Sequence, residues 1–101
     1  MPRVRELVLT PHARERAKER LGEHINDEWL KQQLQGKYAY STDRQIPIHY
    51  EGPGSRNQYQ VRLAGIVFVL VVDRLQEYRG KEFRDDVFAL VTLFWLDGET
   101  P

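Results

Sequence analysis

The sequence contains no cysteine, which excludes disulfide bonds and metal sites built on thiolates. It also lacks a long hydrophobic segment. The longest purely apolar run, Ile66–Val72, has seven residues, whereas a membrane-spanning helix needs about 20. The opening residues Met1-Pro2-Arg3 do not have the pattern of a signal peptide. We therefore expect a cytoplasmic protein that does not enter a membrane.

The chain has no net charge, because 15 basic side chains balance 15 acidic ones among 101 residues. This balance argues against a non-specific coat on nucleic acid. The charges are unevenly placed, however: residues 1–20 carry a net charge of +3, and residues 85–101 carry −4. Eleven of the fifteen cations are arginine, whose planar guanidinium suits phosphate or carboxylate recognition. High-GC codon usage would produce the same bias, so both interpretations stay open.

A short strand followed by a helix is predicted at the N-terminus. Alternating apolar residues indicate the strand over residues 3–9. Thr10 can then cap a helix that has Pro11 at its first position, where the missing N–H costs nothing. Gly22 can end that helix in a left-handed conformation. The first helix is therefore predicted over residues 11–21.

A second helix is predicted directly after the first. Asn26 or Asp27 can cap it, and Gly36 can end it. Its apolar residues fall on one side, which predicts that Trp29, Leu30 and Leu34 are buried. The short connection between the two helices predicts a helical hairpin.

After residue 36 the hydrophobic period changes to two, and β-branched and aromatic residues become more frequent, which predicts a sheet. The predicted strands cover residues 37–41, 46–50, 59–63, 66–73 and 87–96. Ala64 and Gly65 form a two-residue connection that is typical of a tight hairpin. The almost uniformly apolar last strand is typical of a central strand buried on both faces. The charged residues 74–86 are predicted to form an exposed loop.

These elements predict one α+β domain over residues 1–101, with an N-terminal strand and a helical hairpin packed on one face of an antiparallel β-meander. Burial with a period of two places a set of apolar residues, or their strand neighbours, inside this sheet. The set consists of Val61, Val67, Val69, Val71, Leu90 and Phe94.

The first helix carries three stripes of residues at a spacing of four, which puts the members of each stripe on nearly one face. The apolar stripe consists of Ala13, Ala17 and Leu21, the acidic stripe of Glu15, Glu19 and Glu23, and the basic stripe of His12, Arg16 and Arg20. The small apolar residues would let the helix lie close to the sheet. The basic stripe is electrostatically costly unless an anion lies beside it or the neighbouring Glu19 and Glu23 neutralise it in part.

His12 is predicted at the second position of this helix. Free backbone N–H groups and the positive end of the helix dipole disfavour a protonated imidazole there, and Arg16 acts in the same direction. A neutral imidazole is what a general base requires, and a helix N-terminus is also a site for anions. The other interpretation is an ordinary exposed helix with surface arginines and a histidine of no special role.

A second group of candidate side chains lies on the predicted strands and consists of His49, Tyr50, Tyr59 and Arg62. Strand alternation places Tyr59 on one face, and Gln60 and Arg62 on the other. Tyr59 is either a half-buried sheet aromatic or a platform for base stacking, and Arg62 is either a solvated strand residue or a phosphate ligand. The three histidines do not have the spacing of a metal site, and no glycine-rich phosphate loop is present, so we expect no metal and no cofactor.

Residues 9–22, with the sequence Leu-Thr-Pro-His-Ala-Arg-Glu-Arg-Ala-Lys-Glu-Arg-Leu-Gly, resemble the opening of a family of small bacterial and phage proteins. In that family a helix begins with His-Ala, carries one arginine four residues later and another four beyond, and ends near a glycine. The meander is similar as well, from Tyr59 through Gly65 into the apolar strand. The family is grouped with the RelE/ParE/BrnT-like toxins, whose shared fold is a helical hairpin followed by an antiparallel sheet.

The resemblance implies an endoribonuclease that cleaves RNA without a metal ion. It assigns catalysis to His12, Arg16, Arg20 and Arg62, and RNA binding to His49, Tyr50 and Tyr59. His12 would deprotonate a ribose 2′-OH, while the arginines would stabilise the phosphorane or bind phosphate, and His49 or a tyrosine would serve as general acid. The implied partners are RNA or the ribosome, together with an antitoxin. Related folds also occur in non-catalytic proteins, so a module that binds a host protein is the alternative, and a homodimer built on the last strand is a third interpretation.

Overall fold

The structure, a computed structural model, describes residues 2–41 and 58–96. Within these residues, two α-helices and five strands form an α+β fold, which confirms the predicted fold class. In chain order the elements are β1 (Glu6–Leu9), α1 (Pro11–Leu21), α2 (Asp27–Leu34), β2 (Tyr40–Ser41), β3 (Gln58–Leu63), β4 (Ile66–Val72), a 3-10 helix (Glu77–Arg79) and β5 (Val87–Trp95). The predicted strand over residues 46–50 lies outside the described residues.

The helix α1 has the predicted bounds because both of its ends are specified locally. The hydroxyl oxygen of Thr10 accepts a hydrogen bond from the backbone N–H of Ala13 at 3.1 Å, and Pro11 occupies the first helical position. Gly22 ends the helix with a φ of 116° and a ψ of 152°, a positive φ that favours glycine but not the left-handed helical conformation that was predicted. The same Thr10 hydroxyl donates to the carbonyl oxygen of Leu90 at 2.8 Å. The cap therefore also fixes the start of α1 against β5.

The helix α2 uses Asn26 as its cap rather than Asp27. The side-chain oxygen of Asn26 accepts a hydrogen bond from the backbone N–H of Trp29 at 2.9 Å. The helix ends at Leu34, slightly before the predicted end, and Gly36 then turns the chain with a φ of 83°. Leu34 is fully buried and Trp29 is half-buried against the same core, so the predicted buried side of the helix is confirmed.

The strand order is β1-β5-β4-β3-β2, which places the apolar strand β5 inside the sheet as predicted. The strands β3, β4 and β5 form the expected antiparallel meander, and the chain between β3 and β4 turns at Ala64 and Gly65. The N-terminal strand β1 joins the edge of this meander by pairing with β5 in parallel, with Leu7 opposite Phe88, so the sheet as a whole is mixed. Nearly eighty residues separate these two strands, so no local turn fixes their relative direction.

The core lies between the helices and one face of the sheet, here called the inner face; the outer face points away from α1 and α2. Val61 and Leu90 lie in this core, as predicted. Val67 and Val69 are fully buried as predicted, but on the outer face. On the inner face of β4 and β5 the strand neighbours of the named residues lie in the core, namely Phe68, Leu70, Phe88 and Leu93. The pattern of apolar residues in the sequence did not show which residues of β4 and β5 face the helices, for two reasons. The strand β4 is apolar throughout, and a bulge between Val69 and Leu70 shifts its register against β5.

The segment between β4 and β5 is more structured than the predicted exposed loop. It contains the 3-10 helix, and Gln76 beside that helix is buried. The amide nitrogen of Gln76 donates to the carbonyl oxygens of Asp73 and Arg84 at 2.8 and 2.7 Å, and its oxygen accepts from the N–H of Arg84 at 3.1 Å. Most other residues of the segment are exposed as predicted, with Tyr78 the extreme at 91%.

Among the described residues, no helix has both the length and the apolar character that crossing a membrane would require.

Candidate functional site

His12 and Arg16 are in contact on the exposed side of the first turns of α1. The Nε of Arg16 donates a long hydrogen bond of 3.4 Å to Nε2 of His12. Arg16 also forms an ion pair with Glu19, with 2.7 Å between Nη1 and Oε2. His12 and Glu19 are both exposed, and Arg16 is partly buried. The structure therefore places an imidazole, a guanidinium and a carboxylate in one continuous row on the helix surface.

The hydrogen bond defines what the imidazole of His12 can do. The nitrogen of His12 that faces the guanidinium of Arg16 and accepts this hydrogen bond is Nε2. An unprotonated imidazole nitrogen is able to remove a proton from a hydroxyl group, and an adjacent guanidinium is able to bind the phosphate next to that hydroxyl. The pair thus combines a base with an anion-binding group.

Arg20 belongs to the same stripe but makes a different contact. Its guanidinium donates to the backbone carbonyl oxygen of Leu93, on the strand β5 that lies beneath α1. In the other direction, the indole nitrogen of Trp95 donates to the carbonyl oxygen of Arg20 at 3.2 Å. Arg20 is therefore part of the packing between helix and sheet as well as a member of the basic stripe.

Arg62 and Tyr59 lie away from His12. Arg62 is exposed on the outer face of the sheet, where it is paired across the strands with Val67, whereas α1 packs on the inner face. Tyr59 points inward, and its ring meets the ring of Phe88 edge-on at 5.3 Å between centroids and an angle of 76°. The sheet thus separates Arg62 from the basic stripe of α1, and Tyr59 contributes to the core. His49 and Tyr50 lie outside the described residues.

A groove of about 540 Å³ lies between the two helices, and its lining includes none of the predicted site residues. Ala17 and Leu30 form its apolar floor. At its rim, Arg14 holds Asp27 through two hydrogen bonds from Nε and one from Nη2, at 2.8 to 3.1 Å. These rim contacts join α1 to the start of α2 and therefore have a clear structural role.

A group of residues that was not predicted to be functional lies around β2 on the outer face of the sheet. Tyr38 and Tyr40 are exposed there by 45% and 52%, and the guanidinium of Arg3 lies 4.6 Å from the ring centre of Tyr38. Gln60 faces Tyr40 across the strands and is buried, with both side-chain polar atoms unpaired. The alternation of Tyr38, Ala39 and Tyr40 in the sequence indicates that the two tyrosines share one face of a strand. The strand predicted there was too short to show whether that face is the exposed one.

Within the part of the chain that the structure describes, no group of three histidine, aspartate or glutamate side chains is arranged to hold a metal ion. Comparison with known proteins adds no assignment: no protein-family model, curated protein or solved structure matches this chain.

Proposed function

We propose that this chain is a metal-independent endoribonuclease that cleaves RNA by attack of a ribose 2′-OH on the adjacent phosphate. The observation that carries the proposal is the contact between His12 and Arg16 on the exposed first turns of α1. The resemblance of residues 9–22 to the RelE/ParE/BrnT-like toxins supports the same chemistry. The substrate is RNA, either free or on the ribosome, and the place of action is the cytoplasm.

In the proposed reaction, the guanidinium of Arg16 turns from Nε2 of His12 to the phosphate, which frees the lone pair of Nε2. Nε2 then takes the proton from the 2′-OH, and the 2′-oxygen forms a bond to phosphorus. The bond from phosphorus to the 5′-oxygen then breaks, and the leaving oxygen takes a proton from water. The products are a 2′,3′-cyclic phosphate and a 5′-hydroxyl end. Arg16 binds the phosphate and offsets the charge that develops on the phosphorane, which is the part of the reaction where a fixed cation contributes most. Glu19 keeps the guanidinium beside His12.

The experiment is a cleavage assay with labelled RNA in the presence of a chelator, with and without ribosomes. We expect His12→Gln to reduce the rate by about 100-fold or more, the usual scale for the loss of a general base. We expect Arg16→Lys to impair cleavage more than RNA binding, because lysine keeps the charge but loses the planar fork. The matched control is His24→Gln, an exposed loop histidine, which should cleave at the wild-type rate.

Absence of cleavage both with and without ribosomes, or equal rates for wild type and His12→Gln, would rule the nuclease out. Expression in a naive host gives a second readout, since the nuclease should arrest growth and His12→Gln should relieve the arrest.

A protein-binding module is the second candidate, and one observation favours it. Arg16 and Arg20 are both engaged within the chain, with Glu19 and with the carbonyl oxygen of Leu93, which leaves less free positive charge for phosphate. In this version α1 is an interface for a host protein or an antitoxin. A complex that survives nuclease treatment, combined with the absence of cleavage, would favour this candidate.

A further inference from the structure

The outer face of the sheet carries a polar and aromatic surface around β2 and β3. We call it the β2–β3 surface, and it consists of Tyr38, Tyr40, Gln60 and Arg62. Tyr40 and Gln60 are direct partners in the antiparallel register, so their side chains share one face. Arg62 lies two residues beyond Gln60 and therefore points the same way. Ala39, between the two tyrosines, is fully buried in the core, which places Tyr38 and Tyr40 on the outer face.

Gln60 is the unusual member of this surface. Its side chain is only 1% exposed, yet neither its amide nitrogen nor its amide oxygen has a hydrogen-bond partner. Its partner on the other side, Val69 of β4, is fully buried and offers no polar side-chain atom. Buried amides in folded proteins are nearly always hydrogen-bonded, because an unpaired donor or acceptor destabilises the fold. Gln60 therefore has a buried donor and a buried acceptor side by side, and neither is satisfied within the chain.

The tyrosines and arginines around Gln60 indicate which kind of group this is. Tyr38 and Tyr40 expose about half of their side chains, and Arg3 lies over the ring of Tyr38 while donating to its hydroxyl oxygen at 2.8 Å. Arg62 is exposed and belongs to none of the ion pairs formed among the described residues. Exposed aromatic rings interleaved with unpaired cations are typical of surfaces that bind single-stranded nucleic acid, in which bases stack on rings and phosphates contact arginine.

We propose that the β2–β3 surface binds single-stranded RNA, with one base stacked on Tyr40 and the edge of that base hydrogen-bonded to the amide of Gln60. Because Gln60 is only 1% exposed, this contact requires the side chains that cover its amide to move aside when the base binds. A glutamine amide matches adenine, which presents a donor at N6 beside an acceptor at N7. Arg62 contacts the phosphate. Single strands are required because the faces and edges of bases in duplex RNA are not accessible to such contacts.

The choice of RNA rather than a peptide as the ligand rests on the proposed function. The observations that define the β2–β3 surface do not depend on that function. The β2–β3 surface lies on the outer face and His12 lies on α1, on the other side of the sheet. Loss of binding and loss of cleavage can therefore be measured separately. A variant of His12 should cleave poorly and bind normally, whereas a variant of Tyr40 should bind poorly.

The test measures the binding of fluorescent single-stranded RNA and of the matching duplex by anisotropy. We expect Tyr40→Ala to weaken single-strand binding about tenfold, the usual effect of removing one stacking ring, and Tyr40→Phe to bind like wild type. Tyr78→Ala is the matched control, because Tyr78 is 91% exposed but lies on the 3-10 helix between β4 and β5. Arg62→Ala should make the binding constant less dependent on salt concentration, by the amount expected for the loss of about one phosphate contact.

Gln60→Leu tests the role of the buried amide with two readouts. Leucine removes the unpaired polar atoms at a similar volume, so the melting temperature should rise. The preference of the wild type for oligo(A) over oligo(U) should disappear in the same variant. A higher melting temperature with an unchanged preference would show that Gln60 is only a strained core residue, which overturns the base contact.

Equal binding by wild type, Tyr40→Ala and Tyr78→Ala overturns the stacking platform. Equal affinity for single strand and duplex, or no binding of either RNA, overturns the proposal as a whole. The substitution of the exposed Tyr40 leaves the core intact, so these outcomes do not depend on whether Gln60→Leu folds.

Discussion

The indole nitrogen of Trp95 donates a hydrogen bond to the backbone carbonyl oxygen of Arg20, and the guanidinium of Arg20 donates to the backbone of β5 at Leu93. The two contacts form a reciprocal clamp between the last turn of α1 and the end of β5. The carbonyl groups in the last turn of a helix have no partner within the helix, so the indole satisfies one of them. Arg20 thus connects a helix end to the sheet with both its side chain and its backbone.

Replacing Arg20 with methionine should lower the free energy of unfolding by about 1–2 kcal/mol, because the hydrogen bond to Leu93 is lost while much of the apolar stem is kept. Chemical denaturation measures this change. Arg16→Met is the matched control, since Arg16 forms a surface ion pair with Glu19, and such a pair contributes less than about 1 kcal/mol. An equal or larger loss in Arg16→Met would contradict the structural role of Arg20.

Replacing Ala64 with asparagine should stabilise the fold by up to about 1 kcal/mol, a part of the roughly 1–2 kcal/mol by which the left-handed region disfavours alanine. Ala64 has a φ of 51° and Gly65 a φ of 80°, as expected of a tight hairpin turn with two left-handed residues. Asparagine tolerates this region better than alanine does. Gly65→Ala should have the opposite effect, for the same steric reason. Urea unfolding at constant m-value measures both, and stabilisation by both changes would contradict the turn.

Replacing Ala13 with leucine should destabilise the protein by about 1–3 kcal/mol, because the extra atoms have no space in a packed interior. Ala13 is fully buried on the side of α1 that packs against the sheet. Lys18→Leu is the control at an exposed position of the same helix and should change stability by less than about 0.5 kcal/mol. Equal melting temperatures for wild type and Ala13→Leu would show that α1 does not lie close to β5.

The pair Arg84 and Asp86 should make stability depend on pH at the acidic end. A hydrogen bond from Arg84 lowers the pKa of Asp86 below its usual value of 3.8, against an opposing effect of desolvation. The folded state therefore binds a proton less readily than the unfolded state, and the stabilisation is present above the ordinary pKa. It is lost as the pH falls through the lowered pKa. Wild type should thus be more stable than Asp86→Asn at neutral pH, with a difference that shrinks on acidification.

A series of thermal melts between neutral and acidic pH measures this difference. The difference should also become smaller at high salt, because the pair is exposed to solvent. A difference that grows on acidification would contradict the pairing.

The candidate site could be predicted from the sequence only in part. The spacing of His12 and Arg16 is local, and the structure brings these two side chains together on one side of α1. The position of Arg62 depends on how β3 is placed against α1. Because the intervening chain is long, no pattern in the sequence specified on which side of the sheet Arg62 would lie. Gln60 was assigned correctly to the same face as Arg62, but its burial depends on neighbouring strands.

The sequence by itself determined the elements whose signals lie within about four residues of one another. Thr10, Pro11 and Gly22 fix the two ends of α1, and Ala64 with Gly65 fixes the hairpin between β3 and β4. Each of these depends on backbone geometry and on hydrogen bonds between near neighbours, so the residues involved are sufficient to specify it.

The tertiary structure alone decided the parallel pairing of β1 with β5, the face on which each residue of β4 lies, and the use of Arg20 as a clamp. Each of these joins segments that are far apart in the chain. In β4 every residue is apolar, so either face could have met the helices, and the bulge against β5 set the register. Such choices follow from the simultaneous packing of the helices and the strands, because long-range contacts form only when the whole core does.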